Sequence, residues 1–230
     1  MSLILQIETS TTSCSVALAK DGNILSSRTI NQRNIHAEVI TVFIDEIFAE
    51  NGITFPEMDA VAVSSGPGSY TGLRIGVSTA KGLCFSLDKP LIAVETLHAM
   101  AAGYLSRFAK SAAGKFLLCP MIDARRMEVY TALFDQDLNR VEATSAAIIN
   151  QESFSEALNQ HRIIFFGDGA PKCKAVLGNH PNAVFIDAFS NDAADLMELA
   201  AEKFRLQQFE DVAYFEPFYL KDFIAGKINS

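Results

Sequence analysis

The chain has 230 residues, 49% of them apolar and 20% charged, which is enough to bury a real core as one large domain or two small ones. A net charge of −8 argues against a broad electrostatic grip on nucleic acid, because that affinity rests on Lys and Arg neutralising phosphates. No run approaches the roughly 18 consecutive apolar residues of a membrane span, and MSLILQIETS carries neither a basic leader nor a small-residue cleavage site, so the cytoplasm is the expected location.

In chain order, residues 3–8 read as a strand that ends in the hydroxyl-rich stretch Thr9 to Ser13. Cys14 to Ala19 and Ile24 to Thr29 flank Asp21-Gly22-Asn23, a hairpin signal, which predicts a three-stranded antiparallel opening. From Ile35 to Glu50 the residues Ile40, Phe43, Ile44 and Ile47 recur at helical spacing, and Asn51-Gly52 supplies a stop. Ala60 to Val63 is a short strand entering a Gly/Pro loop. Leu73, Val77, Ala80, Cys84 and Leu87 then mark one stripe of a second helix, which Lys89-Pro90 ends. Leu91 to Val94 reads as a strand and Leu97 to Phe108 as a helix.

Ser111 to Lys115 is the one linker-like stretch, so the expected lobes are 1–110 and 111–230, with a return of the tail to the first lobe left open. Beyond the linker the pattern restarts. Phe116 to Ile122, Met127 to Phe134 and Val141 to Ile149 are expected strands, followed by a helix from Glu152 to Asn159, a strand Ile163 to Phe166 and a turn Gly167 to Gly169. A strand Ala183 to Ile186 and a helix Asp192 to Gln207 close the pattern. Strand-rich openings followed by αβ alternation occur twice, which predicts two α/β lobes of related plan.

Several residues are candidates for chemistry. Thr9, Ser10, Thr11 and Thr12 lie between two strands, where hydroxyls and turn amides can hold a phosphate; a polar hairpin satisfying its own backbone explains them equally well. Gly66-Pro67-Gly68, Gly72 and Gly76 run into a helix amino terminus, which favours an anion or else a tight turn with close packing. The spacing is neither a Walker A loop nor a Rossmann fingerprint. Asp123 ends a strand and can bind a cation, or pair with Arg125 or Arg126; Gly167, Asp168 and Gly169 form a second candidate turn for a nucleotide.

The second helix is nearly uncharged on its other faces too, with Ile75, Gly76, Thr79, Gly82 and Leu83 interrupted only by Arg74 and Lys81. The first helix carries Ile35, Val39 and Val42 off its main stripe. Helices apolar or small nearly all round are buried on both sides or covered by a partner, and Leu73 is grouped with this candidate interface.

No catalytic residue is nominated. His36, His98, His161 and His180 form no metal-binding pair and read as surface or capping residues. The serines lie in no G-x-S-x-G elbow, and Ser65 and Ser69 have no local histidine, so a peptidase is disfavoured. Cys14, Cys84, Cys119 and Cys173 are scattered, without C-x-x-C spacing, and read as reduced packing residues.

Taken together, ILQIETSTTSCSVAL, SSGPGSYTGLRIG, MIDARRMEVYTALF, GDGA and EPFYLKDF resemble the TsaB (YeaZ) family across nearly the whole chain. The resemblance implies an actin-like ATPase (ribonuclease H-like) fold with two related lobes. It also implies a role beside the paralogous catalytic subunit TsaD, which transfers threonylcarbamoyl to N6 of the adenosine next to the anticodon of tRNA. The ATPase TsaE is an implied further partner, tRNA is reached indirectly through the complex, and a homodimer is expected when the chain is alone.

Two departures matter. Thr96 and Met100 stand where the catalytic paralogue has an H-x-x-x-H metal pair, and neither replaces imidazole as a ligand, so no metal is expected. Glu8-Thr9-Ser10-Thr11 replaces the Asp and glycine of nucleotide-hydrolysing members, so no cofactor is expected beyond ATP or ADP at the interface with a partner. The alternative function is a small-molecule kinase or ATPase of the same fold.

Overall fold

Leu3–Glu8 (β1) is buried along its whole length, as a central strand covered on both faces should be. It pairs antiparallel with Ser13–Lys20 (β2), from Leu3↔Lys20 to Glu8↔Ser15. The turn that follows β2 has positive φ at both Asp21 and Gly22, the backbone twist that two-residue hairpins require, and it returns the chain as Asn23–Asn31 (β3). His36–Asn51 (α1) ends on Gly52 in the left-handed conformation. Ala60–Ser64 (β4), Tyr70–Leu87 (α2) and Leu91–Val94 (β5) follow, with β4 parallel to β1 and β5 parallel to β4. The first sheet has the order β3-β2-β1-β4-β5. These coordinates belong to a computed structural model that describes residues 2–108 and 114–221.

The same plan is then repeated. Phe116–Asp123 (β6), Glu128–Phe134 (β7) and Arg140–Ile148 (β8) form an antiparallel set. Ser155–Gln160 (α4) leads to Arg162–Phe166 (β9), and Ala170–Leu177 (α5) leads to Ala183–Ile186 (β10). Read from its β8 end, the order β10-β9-β6-β7-β8 matches the first sheet position by position, with α4 corresponding to α1 and α5 to α2. Related lobes were expected from the sequence; α5 was not. Its buried positions Ala170, Cys173 and Leu177 do carry helical spacing behind Pro171.

The expected helix Asp192 to Gln207 is instead a 3-10 turn at Ala193–Leu196 followed by Met197–Arg205 (α6), because Asp192 and Asp195 form a capping box that starts the turn tightly. The helix expected from Glu152 is confined to Ser155–Gln160. The boundary placed at 110/111, and most of the linker around it, lies outside the described residues.

Packing crosses between the repeats. Thr96–Phe108 (α3) follows the first sheet yet places Leu97, Met100, Ala101 and Tyr104 in a core with Phe116, Leu118, Phe134 and Phe166 of the second. The segment after β10 does the reverse: Ser13 Oγ donates to the Asn191 carbonyl at 2.8 Å, Lys203 Nζ to the Ala93 carbonyl at 2.7 Å, and Leu196 and Ala200 pack on Ile4, Ala62 and Val94. Arg107 on α3 fastens this segment, donating to the Ser190 carbonyl at 3.3 Å and pairing with Asp195 at 2.7 Å. Asp195 is buried while Arg107 stays partly solvated, so loss of water outweighs the ion pair and pushes the Asp195 carboxyl up to about 8. All four cysteines are buried and unpaired.

Candidate functional site

The loop after β1 is tied both to itself and to its neighbours. The Ser10 amide donates to Glu8 Oε1 at 2.6 Å, Ser64 Oγ donates to the same oxygen at 3.1 Å, and the Ser13 amide donates to Thr11 Oγ1 at 3.2 Å. Thr12 Oγ1 donates to Asn31 at 2.7 Å, and the imidazole of His36 lies 3.0 Å from the Thr11 carbonyl. His36 is therefore a buried brace between α1 and this loop rather than a surface residue. Burial raises the Glu8 carboxyl above its ordinary range. The amides of Ser10 and Ser13, two of those that would cradle a phosphate, are donated within the loop, whereas the buried Thr9 hydroxyl has no hydrogen-bond partner.

The glycines of the next loop serve the same packing. Ser69 caps α2 by accepting from the Gly72 amide, and its own amide donates to the Ser10 carbonyl at 2.6 Å. A Cβ at Gly68 would press on Ser10, one at Gly72 on the Thr9 carbonyl, and one at Gly76 on the Thr9 hydroxyl. The G-x-x-x-G-x-x-x-G spacing thus lays α2 directly on the loop after β1. Two residues grouped with the interface are corrected by this: Leu73 and Gly76 are buried on the inner side of α2 and are not available to a partner.

The outer side of α2 is different. Thr71, Ser78, Gly82, Phe85 and Ser86 are exposed, and Ile75, Thr79 and Leu83 are half-buried. The two charges of the helix are both engaged by residues 213–219. Arg74 lies over the Tyr70 ring at 4.2 Å and donates to the Tyr219 hydroxyl at 3.2 Å, while Lys81 donates to the carbonyls of Ala213 and Phe215. What remains is an uncharged strip with Phe85 at 85% exposure, which the sequence reading passed over.

On α1, Val42 is 48% exposed, whereas Ile35 and Val39 are half-buried. The exposed positions Glu38, Asp45, Glu46 and Glu50 make the rest of that helix acidic, so it is less uniformly apolar than its sequence suggested.

At the second sheet, Asp123 pairs with Lys172 at 2.6 Å and accepts from the Arg125 amide at 2.7 Å. Burial works to raise the Asp123 carboxyl, but Lys172 holds it below the usual range. The turn reading is correct in kind, though the charged partner is Lys172, invisible in sequence because it lies 49 residues away. Asp168 accepts from the Asp123 amide at 2.9 Å, and the Gly169 amide donates to the Met121 carbonyl at 3.0 Å. Gly167, at φ +101°, sits against the Met121 carbonyl and Met100. The nominated nucleotide residues therefore form two clusters, one at the end of each central strand.

Thr96 and Met100 have packing duties. Thr96 Oγ1 accepts from the Gly66 amide at 3.1 Å, and Met100 is buried beneath the Gly167 turn. His98 stacks on Phe134 at 5.2 Å, and burial lowers its pKa. Among the described residues no group of three or more His, Cys, Asp or Glu is placed to hold a metal ion, and no helix is long and apolar enough to cross a membrane.

A family model described as TsaD, tRNA N6-adenosine threonylcarbamoyltransferase, matches residues 23–226. The chain is 32% identical to the tRNA threonylcarbamoyladenosine biosynthesis protein TsaB of Escherichia coli K12, over 97% of this chain and 96% of that protein. The solved structure of YeaZ from Pseudomonas aeruginosa is 27% identical with a TM-score of 0.81, covering 96% of this chain and 100% of the other. An activator of 2-hydroxyisocaproyl-CoA dehydratase from Clostridium difficile, solved with bound ADPNP, superposes with a TM-score of 0.50 at 8% identity, covering 90% and 97% of the two chains. That likeness speaks for the fold alone: the paired sheets have the plan of the actin-like ATPases.

Proposed function

The chain belongs to the TsaB family, and from that membership we propose that it is the non-catalytic subunit that docks a TsaD-type catalytic paralogue during threonylcarbamoylation of N6 of the adenosine beside the tRNA anticodon. The observation that carries this reading is the outer strip of α2, whose charges are turned aside onto residues 213–219 while Phe85 stands almost free of the fold. A strip whose charges are engaged elsewhere in the chain, with an aromatic anchor, suits the centre of a protein interface, which buries about 800 Å² per partner. Ile75, Thr79, Gly82 and Leu83 complete the strip on α2, and Val42, with Val39 and Ile35 behind it, extends it onto α1.

In this account the chain supplies no catalytic group. Thr96 and Met100 occupy the positions of the paralogue's metal pair and are committed to packing, so transfer chemistry stays with the partner. A nucleotide binds only where the partner completes the site, since the amides of Ser10 and Ser13 are spent inside their own loop. A TsaE-type ATPase joins the pair, tRNA is held through the complex, and in isolation the same strip pairs with a second copy. The working location is the cytoplasm, and residues 1–110 and 111–230 are the two lobes. Mixing the purified chain with a TsaD-type subunit and following co-elution tests the docking: a single peak containing both proteins is expected, and two independent peaks at micromolar concentration would overturn it.

A further inference from the structure

The segment Glu216 to Lys221, part of the EPFYLKDF motif, does more than draw Arg74 aside through Tyr219. Its backbone is fixed to the first sheet's loops: the Phe218 amide donates to the Ser65 carbonyl at 2.7 Å, and a Cβ on Gly66 would lie 2.6 Å from the Phe218 carbonyl. The next residue, Tyr219, sets its ring 4.8 Å from Tyr70 and takes the Arg74 hydrogen bond. Two residues later the chain has reached the second sheet, where Lys221 forms an ion pair with Glu128 at the start of β7. The backbone carbonyl of that same Glu128 accepts from Lys172, which holds Asp123. Within four residues, then, one segment touches the loop that opens α2 and the strand next to the Asp123 cluster. Those are the surroundings of the two groups from which the sequence would have built a nucleotide site.

We infer that residues 216–221 are a built-in clasp that sets how far the two lobes close on each other. In two-lobed folds closure is commonly driven by a ligand that touches both sides. Here a segment of the chain makes both contacts, and being tethered it does so at an effective concentration set by the chain rather than by a free ligand. The clasp explains why Tyr219 and Lys221 are spent on Tyr70, Arg74 and Glu128. Its test is separate from that of the docking reading, because the lobe distance is read in the full chain alone and co-elution with a partner is scored on its own.

The test uses the full chain with spin labels at Lys20→Cys and Glu156→Cys, two exposed positions, one in each lobe; the native thiols are buried. The unaltered clasp gives one narrow inter-label distance distribution. Combining Tyr219→Ala with Lys221→Glu broadens it at least about twofold as the lobes swing about their connections. Lys221→Glu alone gives an intermediate width, and adding Glu128→Lys to it restores the narrow one by rebuilding the ion pair in reverse. Distributions that coincide in all forms would overturn the clasp, as would a broadened Lys221→Glu form that Glu128→Lys fails to narrow.

Discussion

The carbonyl oxygen of Thr9 lies where a side chain on Gly72 would begin. Because that oxygen belongs to backbone held between two strands, it cannot turn aside, and the contact fixes how closely α2 lies on the loop after β1. Gly72→Ala is expected to cost roughly 1–3 kcal/mol, the usual range for forcing atoms into a packed site. Gly82 faces open space, so Gly82→Ala gains about 0.5–1 kcal/mol of helix propensity. Urea unfolding of the two variants should move in opposite directions. A neutral Gly72→Ala would mean that the glycine spacing does not set the helix position.

The docking strip is separable from the core at Phe85. Truncating so exposed a side chain removes almost no internal packing, yet a central interface aromatic is worth about 2 kcal/mol or more to binding. Phe85→Asp should leave the melting temperature within error of the parent and weaken association with a TsaD-type subunit by at least about tenfold. Ile75→Glu should weaken association as well, but with some loss of stability, since Ile75 also packs against the first core. Unchanged affinity for both variants, measured by calorimetry, would place the interface elsewhere.

Stability should depend on pH through Asp195. Its carboxyl is ordinarily near 3.8 and is pushed up to about 8 in the folded protein, so the native state binds a proton that the unfolded chain has released. The contribution is present in full below pH 4 and is lost as pH rises through 8. Asp195→Asn imitates the protonated form, so it should flatten this part of the profile and overtake the parent at alkaline pH by on the order of a few kcal/mol. Urea midpoints at pH 5, 6.5 and 8.5 decide it; parallel profiles for the two proteins would contradict the assignment.

The four thiols should be inert in the native state. Burial pushes Cys14 up to about 11 and Cys84 to about 12, and raises Cys119 and Cys173 as well, so almost no reactive thiolate exists at neutral pH. A chromogenic disulfide reagent should label them only as fast as the protein unfolds. Rapid labelling of any one under native conditions would show that its surroundings open locally.

Much of this architecture was legible in the chain. Period-two and period-3.6 patterns located both sheets and α1 to α3, because these elements bury one face or both. The short helix α5 escaped because eight residues offer barely two turns of periodicity, although the repeat of the first lobe's order places a helix there. Leu73 and Gly76 were misplaced for a different reason. A helix with small or apolar residues on every side does not announce which side faces in, and only the Thr9 loop, distant in sequence, decides it. Lys172 and Tyr219 were illegible because their partners, Asp123 and Arg74, lie 49 and 145 residues away.

The measurement closest to the central claim is reconstitution of threonylcarbamoylation on tRNA from purified TsaD-type and TsaE-type subunits, the threonylcarbamoyl donor and ATP, with and without this chain. Modified adenosine is expected only when the chain is present, none from the chain alone, and sharply less with Phe85→Asp. Equal modification without the chain, or modification by the chain by itself, would contradict the account.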